Sequence, residues 1–175
     1  WAGAKGLMQL MPRTARIMGV PEGKEHNAEE SVRAATRYLK LMEKSFKSIP
    51  DPDERTNFVL ASYNAGIGHI FDAMALAEKY GHDKYRWIDN VEKYVLLKSK
   101  PEYYNDSVCR NGYFRGLETY NFVREIRARH NIYKEKIKAR HALLYSIIMD
   151  KRHVDIKSDS LIRPALEYYP RHGDS

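Results

Sequence analysis

Cysteine is nearly missing from this chain: Cys109 stands alone among 175 residues, which excludes an internal disulfide and any cysteine-based metal site. No apolar run approaches the roughly twenty residues that a membrane-spanning helix needs. The seven histidines show no HExxH or related ligand spacing. Neither a GxSxG nucleophile elbow nor a phosphate-binding glycine loop occurs, so no metal and no cofactor is expected. Alternating strand patterns, internal repeats and low-complexity tracts are absent too. Lys and Arg outnumber Asp and Glu by 30 to 23, a formal charge of +7. That balance favours an anionic partner: nucleic acid, anionic lipid or carboxylate-bearing peptides. The basic residues are scattered and never form a block, which argues against nucleic acid. No signal peptide is visible, and a chain that starts inside a motif is expected to have lost whatever preceded it. Its lack does not argue for the cytoplasm.

What is present is helical. Charged residues make up 30% and hydrophobic ones 43%, the balance of one globular domain rather than a disordered chain. Pro12 suits the first turn of a helix that carries Thr14 to Met18 and stops at Gly19. Asn27, with Glu30 three residues on, starts a second helix, and Val32, Ala35, Leu39, Met42 and Phe46 recur along it as one apolar face. Asp51 followed by Pro52 and Glu54 is a further start signal. The helix it opens ends in Ser62-Tyr63-Asn64-Ala65-Gly66. Ile67, Ile70, Phe71 and Met74 lie on a fourth helix that Gly81 closes. Trp87, Ile88, Val91, Tyr94 and Val95 predict another, stopped by Pro101. Tyr103 to Gly112 reads as an aromatic, polar loop. A last long pattern starts at Gly116, with Leu117, Tyr120, Val123 and Ile126 facing one way. It continues through Ile137, His141, Leu144 and Ile148, so that Tyr133 to Met149 is expected to be helical. Periodicity is lost from Lys151 to Ser175. The expected fold class is all-α, a packed bundle of about six or seven helices.

Three stretches are unusual for plain helix packing. The first is Gly3-Ala4-Lys5-Gly6-Leu7-Met8-Gln9-Leu10-Met11-Pro12-Arg13-Thr14-Ala15. There glycines permit turns and close approach, and Gln9 offers an amide donor and acceptor amid apolar neighbours. Ser62-Tyr63-Asn64-Ala65-Gly66 is the second and Gly116-Leu117-Glu118-Thr119-Tyr120 the third. Taken singly, each has a plain structural explanation. Their order and spacing carry more: over residues 2 to about 132 the chain resembles the lytic transglycosylases, relatives of goose-type lysozyme that cleave peptidoglycan glycan strands. Phe58 to Ala73, Leu97 to Tyr104 and Tyr113 to Tyr120 are similar to a membrane-bound branch. Its members carry an amino-terminal solute-binding-like domain and attach to the outer membrane.

The resemblance implies a lysozyme-like helical fold, a periplasmic setting and peptidoglycan as the partner, with membrane association only through parts outside this chain. It implies that Gln9 and Met11 lie along a glycan groove, together with Asn64 and Tyr120. Tyr63 would hydrogen-bond near the catalytic acid, and Glu118 would be a second acid that contacts sugar. Ser62 stands where the family usually has Ala. The family's catalytic Glu, in a Glu-Ser pair upstream of the first motif, would precede Trp1. Cleavage needs an acid that protonates the leaving oxygen of the MurNAc-GlcNAc bond. In the lytic reaction the same carboxylate returns as base, and the C6 hydroxyl closes a 1,6-anhydro ring. Residues 1–175 alone are therefore expected to be inactive. Residues 1–138 are expected to form the catalytic-type domain without its Glu helix, and 139–175 a helix and tail of unassigned role. The alternative is a non-catalytic peptidoglycan-binding module of the same fold.

Overall fold

The structure, a computed structural model, describes residues 3–150. Among these, helices and turns account for all regular structure apart from one isolated antiparallel bridge, Lys5 to Leu10. The α-helices are α1 (Pro12–Ile17), α2 (Ala28–Ser45), α3 (Pro52–Ala65), α4 (Ile67–Lys79), α5 (Glu92–Leu97), α6 (Pro101–Tyr104) and α7 (Gly116–Asp150). Seven helices match the expected all-α bundle. The chain divides into two compact units, Trp1–Arg127 and Ala128–Ser175.

Local chemistry sets the helix starts in the first unit. The Asn27 side chain accepts the Glu30 N–H at 3.0 Å, satisfying one of the orphan donors of α2. Asp51 accepts the N–H groups of Asp53 and Glu54 at 2.7 and 3.2 Å, with Pro52 in the first turn of α3. The chain leaves α1, α3 and α4 through Gly19, Gly66 and Gly81, all at positive φ.

Two apolar clusters hold this unit together. The larger is built on Phe46, Ile49, Phe58, Ile70, Leu76, Trp87, Val91, Val95 and Val123. Phe58 lies 5.6 Å from Phe46 and edge-on to Trp87 at 5.3 Å, within the range where aromatic pairs add to simple burial. A smaller cluster joins Leu10, Ala15, Val20, Ala34 and Ala35, so α1 and the glycine loop before it rest on α2. Tyr38 and Tyr63 pack against both clusters.

The start of α7 is fixed by close approach. An added Cβ on Gly116 would lie 1.7 Å from the Val95 carbonyl oxygen, so only glycine lets α7 begin against α5.

Three apolar faces differ at single positions from those the sequence predicts. Along α2 and its C-cap, Ala35, Met42 and Phe46 are buried as predicted, but Val32 is exposed, and Ser31 and Ala34 join the inner face. On α4 Phe71 is 44% exposed while its neighbour Asp72 is 3% exposed. On α7 Leu117 is exposed, and Gly116, Thr119 and Val123 form the inner edge. In each case a buried polar side chain nearby makes an internal hydrogen bond to a distant segment. The helix expected from Trp87 begins later: Ile88 is extended, Asp89 has φ +60°, and regular α5 starts at Glu92. Pro101 opens α6 rather than merely ending a helix. That short helix runs into what the sequence presents as a loop, taking in Tyr103 and Tyr104.

In the second unit, described by itself, residues 128–150 are helical, as expected for Tyr133 to Met149. Ile132, Tyr133, Ile137 and Leu144 carry exposed side chains there. The stretch from Lys151 to Ser175, where the sequence loses periodicity, lies outside the described residues, as do the side chain of Ile148 and Trp1.

Ser62 gives a first test of the packing. It is fully buried, and its hydroxyl has no hydrogen-bond partner among the described residues. Ser62→Ala removes an unsatisfied buried group, so stability should be unchanged or rise by about 1 kcal/mol. Urea denaturation followed by circular dichroism checks this; a clear loss would show that the hydroxyl has a partner.

Candidate glycan-binding site

The glycine loop is a tight, self-bonded structure. Lys5 and Leu10 exchange backbone hydrogen bonds at 2.9 and 3.1 Å, and the Gln9 N–H donates to the Gly6 carbonyl at 3.1 Å. Gly6 has φ +72°, and a Cβ there would lie 2.2 Å from the Glu25 carbonyl oxygen. Gln9 also has positive φ, +50°, which is costly for a residue with a Cβ and persists only where its surroundings impose it. Its side-chain amide folds back to donate to the Gly6 carbonyl at 2.9 Å. The loop thus presents Gln9 on an exposed corner with its amide oxygen outward-bonding capacity intact. Met11, the next predicted groove residue, is 44% exposed.

Two side chains fasten this loop to the helices below. Ser31 Oγ accepts the Met8 N–H at 2.9 Å. The Tyr63 hydroxyl donates to the Met8 carbonyl at 2.6 Å across 55 positions of sequence. Tyr63 is half-buried, with the Tyr38 ring 5.9 Å away. Burial, and then the neighbouring Tyr38, hold its phenol above the usual tyrosine range, so it remains a neutral hydroxyl. Having given its proton to Met8, the oxygen can still accept a hydrogen bond.

A second tie joins the other two motifs. The Thr119 hydroxyl donates to Asn64 Oδ1 at 2.5 Å, setting the first turn of α7 against the end of α3. Glu118 is exposed beside Thr119 in that same turn. Tyr120 is engaged within its own helix: its hydroxyl accepts from Arg124 at 2.7 Å, and the guanidinium lies 5.2 Å from its ring centre. The structure therefore links Gln9's loop to Tyr63, and Tyr63's neighbour Asn64 to the turn holding Glu118. No direct contact joins Gln9 or Met11 to Glu118 among the hydrogen bonds described, and Tyr120 shares no bond with the other site residues. Two concavities of about 480 and 330 Å³ lie elsewhere, lined respectively by residues such as Pro12, Arg16 and Glu25 and by residues such as Leu39, Arg55 and Leu60.

Thr119 and Ser31 are the residues that sequence reasoning missed, together with an interior ion pair. Lys98 is fully buried and donates to the Asp72 carboxylate, to the Asn111 carbonyl at 2.8 Å and toward His69 Nδ1 at 3.4 Å. A signal for it existed. Val91, Tyr94, Val95 and Lys98 follow helical spacing, which puts a lysine on an apolar face. Such a lysine needs an anion inside the fold.

His69 adds a pH dependence. Burial, and then the Lys98 charge, hold its imidazole below the ordinary histidine range, with Asp72 opposing them more weakly. Above about pH 6.5 the ring is neutral whether the chain is folded or not. Below that value the unfolded chain takes up a proton that the folded one refuses, so stability should fall with falling pH. Denaturant titrations at pH 7.5 and 5.5 should show this loss, and His69→Gln should shrink it. An identical pH slope in that variant would place the effect elsewhere.

Residues 1–86, from the glycine loop through Tyr63 and Asn64, match the family model for the transglycosylase SLT domain. These residues belong to the transglycosylase SLT family. The chain is 40% identical over 134 residues to membrane-bound lytic murein transglycosylase F of Desulfosudis oleivorans, covering 77% of this chain and 28% of that protein. The enzyme of the same name from Cellvibrio japonicus is 38% identical over 130 residues, 74% of this chain and 25% of its own length. That from Marinobacter nauticus is 40% identical over 131 residues, again 74% and 25%. The chain thus spans about a quarter of the length of the curated relatives it matches. The similarity reaches the third motif on α7, beyond the segment that the family model covers. No helix of the described residues is long and apolar enough to cross a membrane.

Proposed function

We propose that this SLT domain binds peptidoglycan glycan strands as part of a lytic transglycosylase. Such an enzyme cleaves the MurNAc-GlcNAc β-1,4 bond to a 1,6-anhydromuramoyl product. The observation that carries the reading is the chain of two long-range hydrogen bonds, Tyr63 to Met8 and Thr119 to Asn64, which ties three distant motifs together. Gln9, Met11, Tyr63, Asn64 and Glu118 would line the sugar-holding surface, with Tyr120 at its edge. Exposed amide and carboxylate groups beside half-buried aromatics suit sugars, which offer hydroxyl and acetamide groups along with apolar ring faces. The acid would come from residues preceding Trp1. Among the residues present, Tyr63 and Glu118 would have supporting roles, the Tyr63 oxygen with a lone pair free to accept a hydrogen bond from the protonated carboxyl. By its likeness to membrane-bound relatives, the full-length protein would work in the periplasm, attached to the outer membrane.

Titration of the ¹⁵N-labelled chain with tetra-N-acetylchitotetraose tests the binding half of this reading. Amide shifts should cluster at Gln9, Asn64 and Glu118, and Gln9→Ala should weaken the affinity. A ligand that shifts only other surfaces, or none, would overturn the assignment of these residues.

A further inference from the structure

The Asp72–Lys98 pair lies outside the predicted site, yet its bonds run toward it. Lys98, the residue that caps the end of α5, and Asp72 on α4 are 0% and 3% exposed. The Asp72 carboxylate accepts the Arg110 N–H at 2.9 Å and the Asn111 N–H at 2.8 Å, besides the Lys98 ammonium. The ammonium in turn donates to the Asn111 carbonyl at 2.8 Å. Both backbone groups of Asn111 are thus held, one by the anion and one by the cation.

The next residues are pinned in sequence. A Cβ on Gly68 would lie 2.7 Å from the Asn111 side-chain oxygen, so that side chain sits directly on α4. Phe114 stacks on His69, with ring centres 4.7 Å apart and planes 17° from parallel. The Gly116 N–H donates to the Phe114 carbonyl at 3.0 Å, and the Gly116 backbone presses on the Val95 carbonyl. Glu118 and Thr119 follow at once, the latter bonded to Asn64.

Packing alone does not call for charge here. A buried ion pair is often matched or exceeded in stability by apolar residues of similar volume. What apolar residues cannot supply is direction: they have no donor for a carbonyl and no acceptor for two N–H groups. We propose that Lys98, acting with Asp72, is a positioning residue for the glycan site. It fixes residues 110–116 so that the first turn of α7 presents Glu118 and Thr119 against Asn64. The inference rests on the glycan reading given above for its functional consequence, and on geometry alone for the positioning.

The test uses the whole chain in three forms. Asp72→Leu with Lys98→Met removes both charges together and should remain folded. Phe114→Ala loosens the same segment at its half-buried stack without touching the pair. Each is compared with the unaltered chain by ¹⁵N amide shifts and by titration with tetra-N-acetylchitotetraose. In both variants the amides of Asn64, Glu118 and Thr119 should move while those of α2 stay in place. Affinity for the tetrasaccharide should drop about tenfold, the equivalent of one well-placed hydrogen bond. A folded charge-free variant with unmoved Glu118 and Thr119 amides and affinity within twofold of the original would overturn the proposal. If that variant fails to fold, Phe114→Ala decides by the same two readouts. Should the unaltered chain not bind the tetrasaccharide, the glycan reading fails. The amide shifts then still decide whether the pair positions α7.

Discussion

Asp72→Ala should be among the most damaging single substitutions in this chain, lowering stability by about 3–5 kcal/mol. The change strands the Lys98 ammonium at a fully buried position, with one carbonyl and one imidazole nitrogen as its remaining partners. It also orphans the N–H groups of Arg110 and Asn111. For a domain whose net stability is of the order of 5–15 kcal/mol, such a loss removes much of the margin. Replacing both charges together, by Leu and Met, leaves the same N–H groups without Asp72 but strands no charge, and should cost less. Burial alone would push the Asp72 carboxyl up; the Lys98 ammonium and the two backbone N–H groups outweigh it and hold it below the usual carboxylate range. Its stabilising contribution is therefore present above about pH 3.9 and lost as pH falls through its folded value. Urea denaturation at pH 7 checks the first claim. A loss under 1 kcal/mol for Asp72→Ala would mean that water reaches Lys98.

Much of this architecture was legible in the residues. Asn27, Asp51 and Pro52 announced the starts of α2 and α3, since capping depends on neighbours a few residues away and leaves a local signature. Gly19, Gly66 and Gly81 marked exits for the same reason. The inner faces were less legible, and the errors share a cause. Ser31, Asp72 and Thr119 are each buried close to an exposed apolar residue, and each satisfies a polar group from a distant segment: the Met8 N–H, the Arg110 and Asn111 amides, and Asn64. Periodicity ranks residues by apolar character and gives no credit for a partner dozens of positions away. The extended Ile88 and the positive φ of Asp89 hid behind a helical spacing, as did the short α6 behind a proline. The site motifs were visible by their order, but not the bonds that join them. Tyr63 to Met8 and Thr119 to Asn64 both span 55 positions, and nothing local points from one end to the other.

A chain extended at its amino end by a helix presenting Glu-Ser ahead of Trp1 should release 1,6-anhydromuropeptides from murein sacculi, and residues 1–175 alone should release essentially none. The reaction requires one carboxyl group to protonate the leaving oxygen and then to take the proton of the C6 hydroxyl. A general acid must stand within hydrogen-bond reach of the bond it cleaves. On the proposed reading that carboxyl would meet the Tyr63 oxygen, which donates to Met8 and keeps acceptor capacity beside the loop. Changing the added Glu to Gln should cost about a hundred- to ten-thousand-fold in rate, the usual worth of general acid–base catalysis. Binding of tetra-N-acetylchitotetraose should be spared, since the amide keeps the shape of the acid. Tyr63→Phe in the extended chain should be milder, about tenfold, because it removes one hydrogen bond to the loop and one acceptor for the acid. Chromatography of digested sacculi with mass detection of the anhydro product reads all three variants. Ready release of that product by residues 1–175 alone would sink the assignment of the acid, and Glu118, exposed in the first turn of α7 beside Thr119, would be the carboxylate to exchange next.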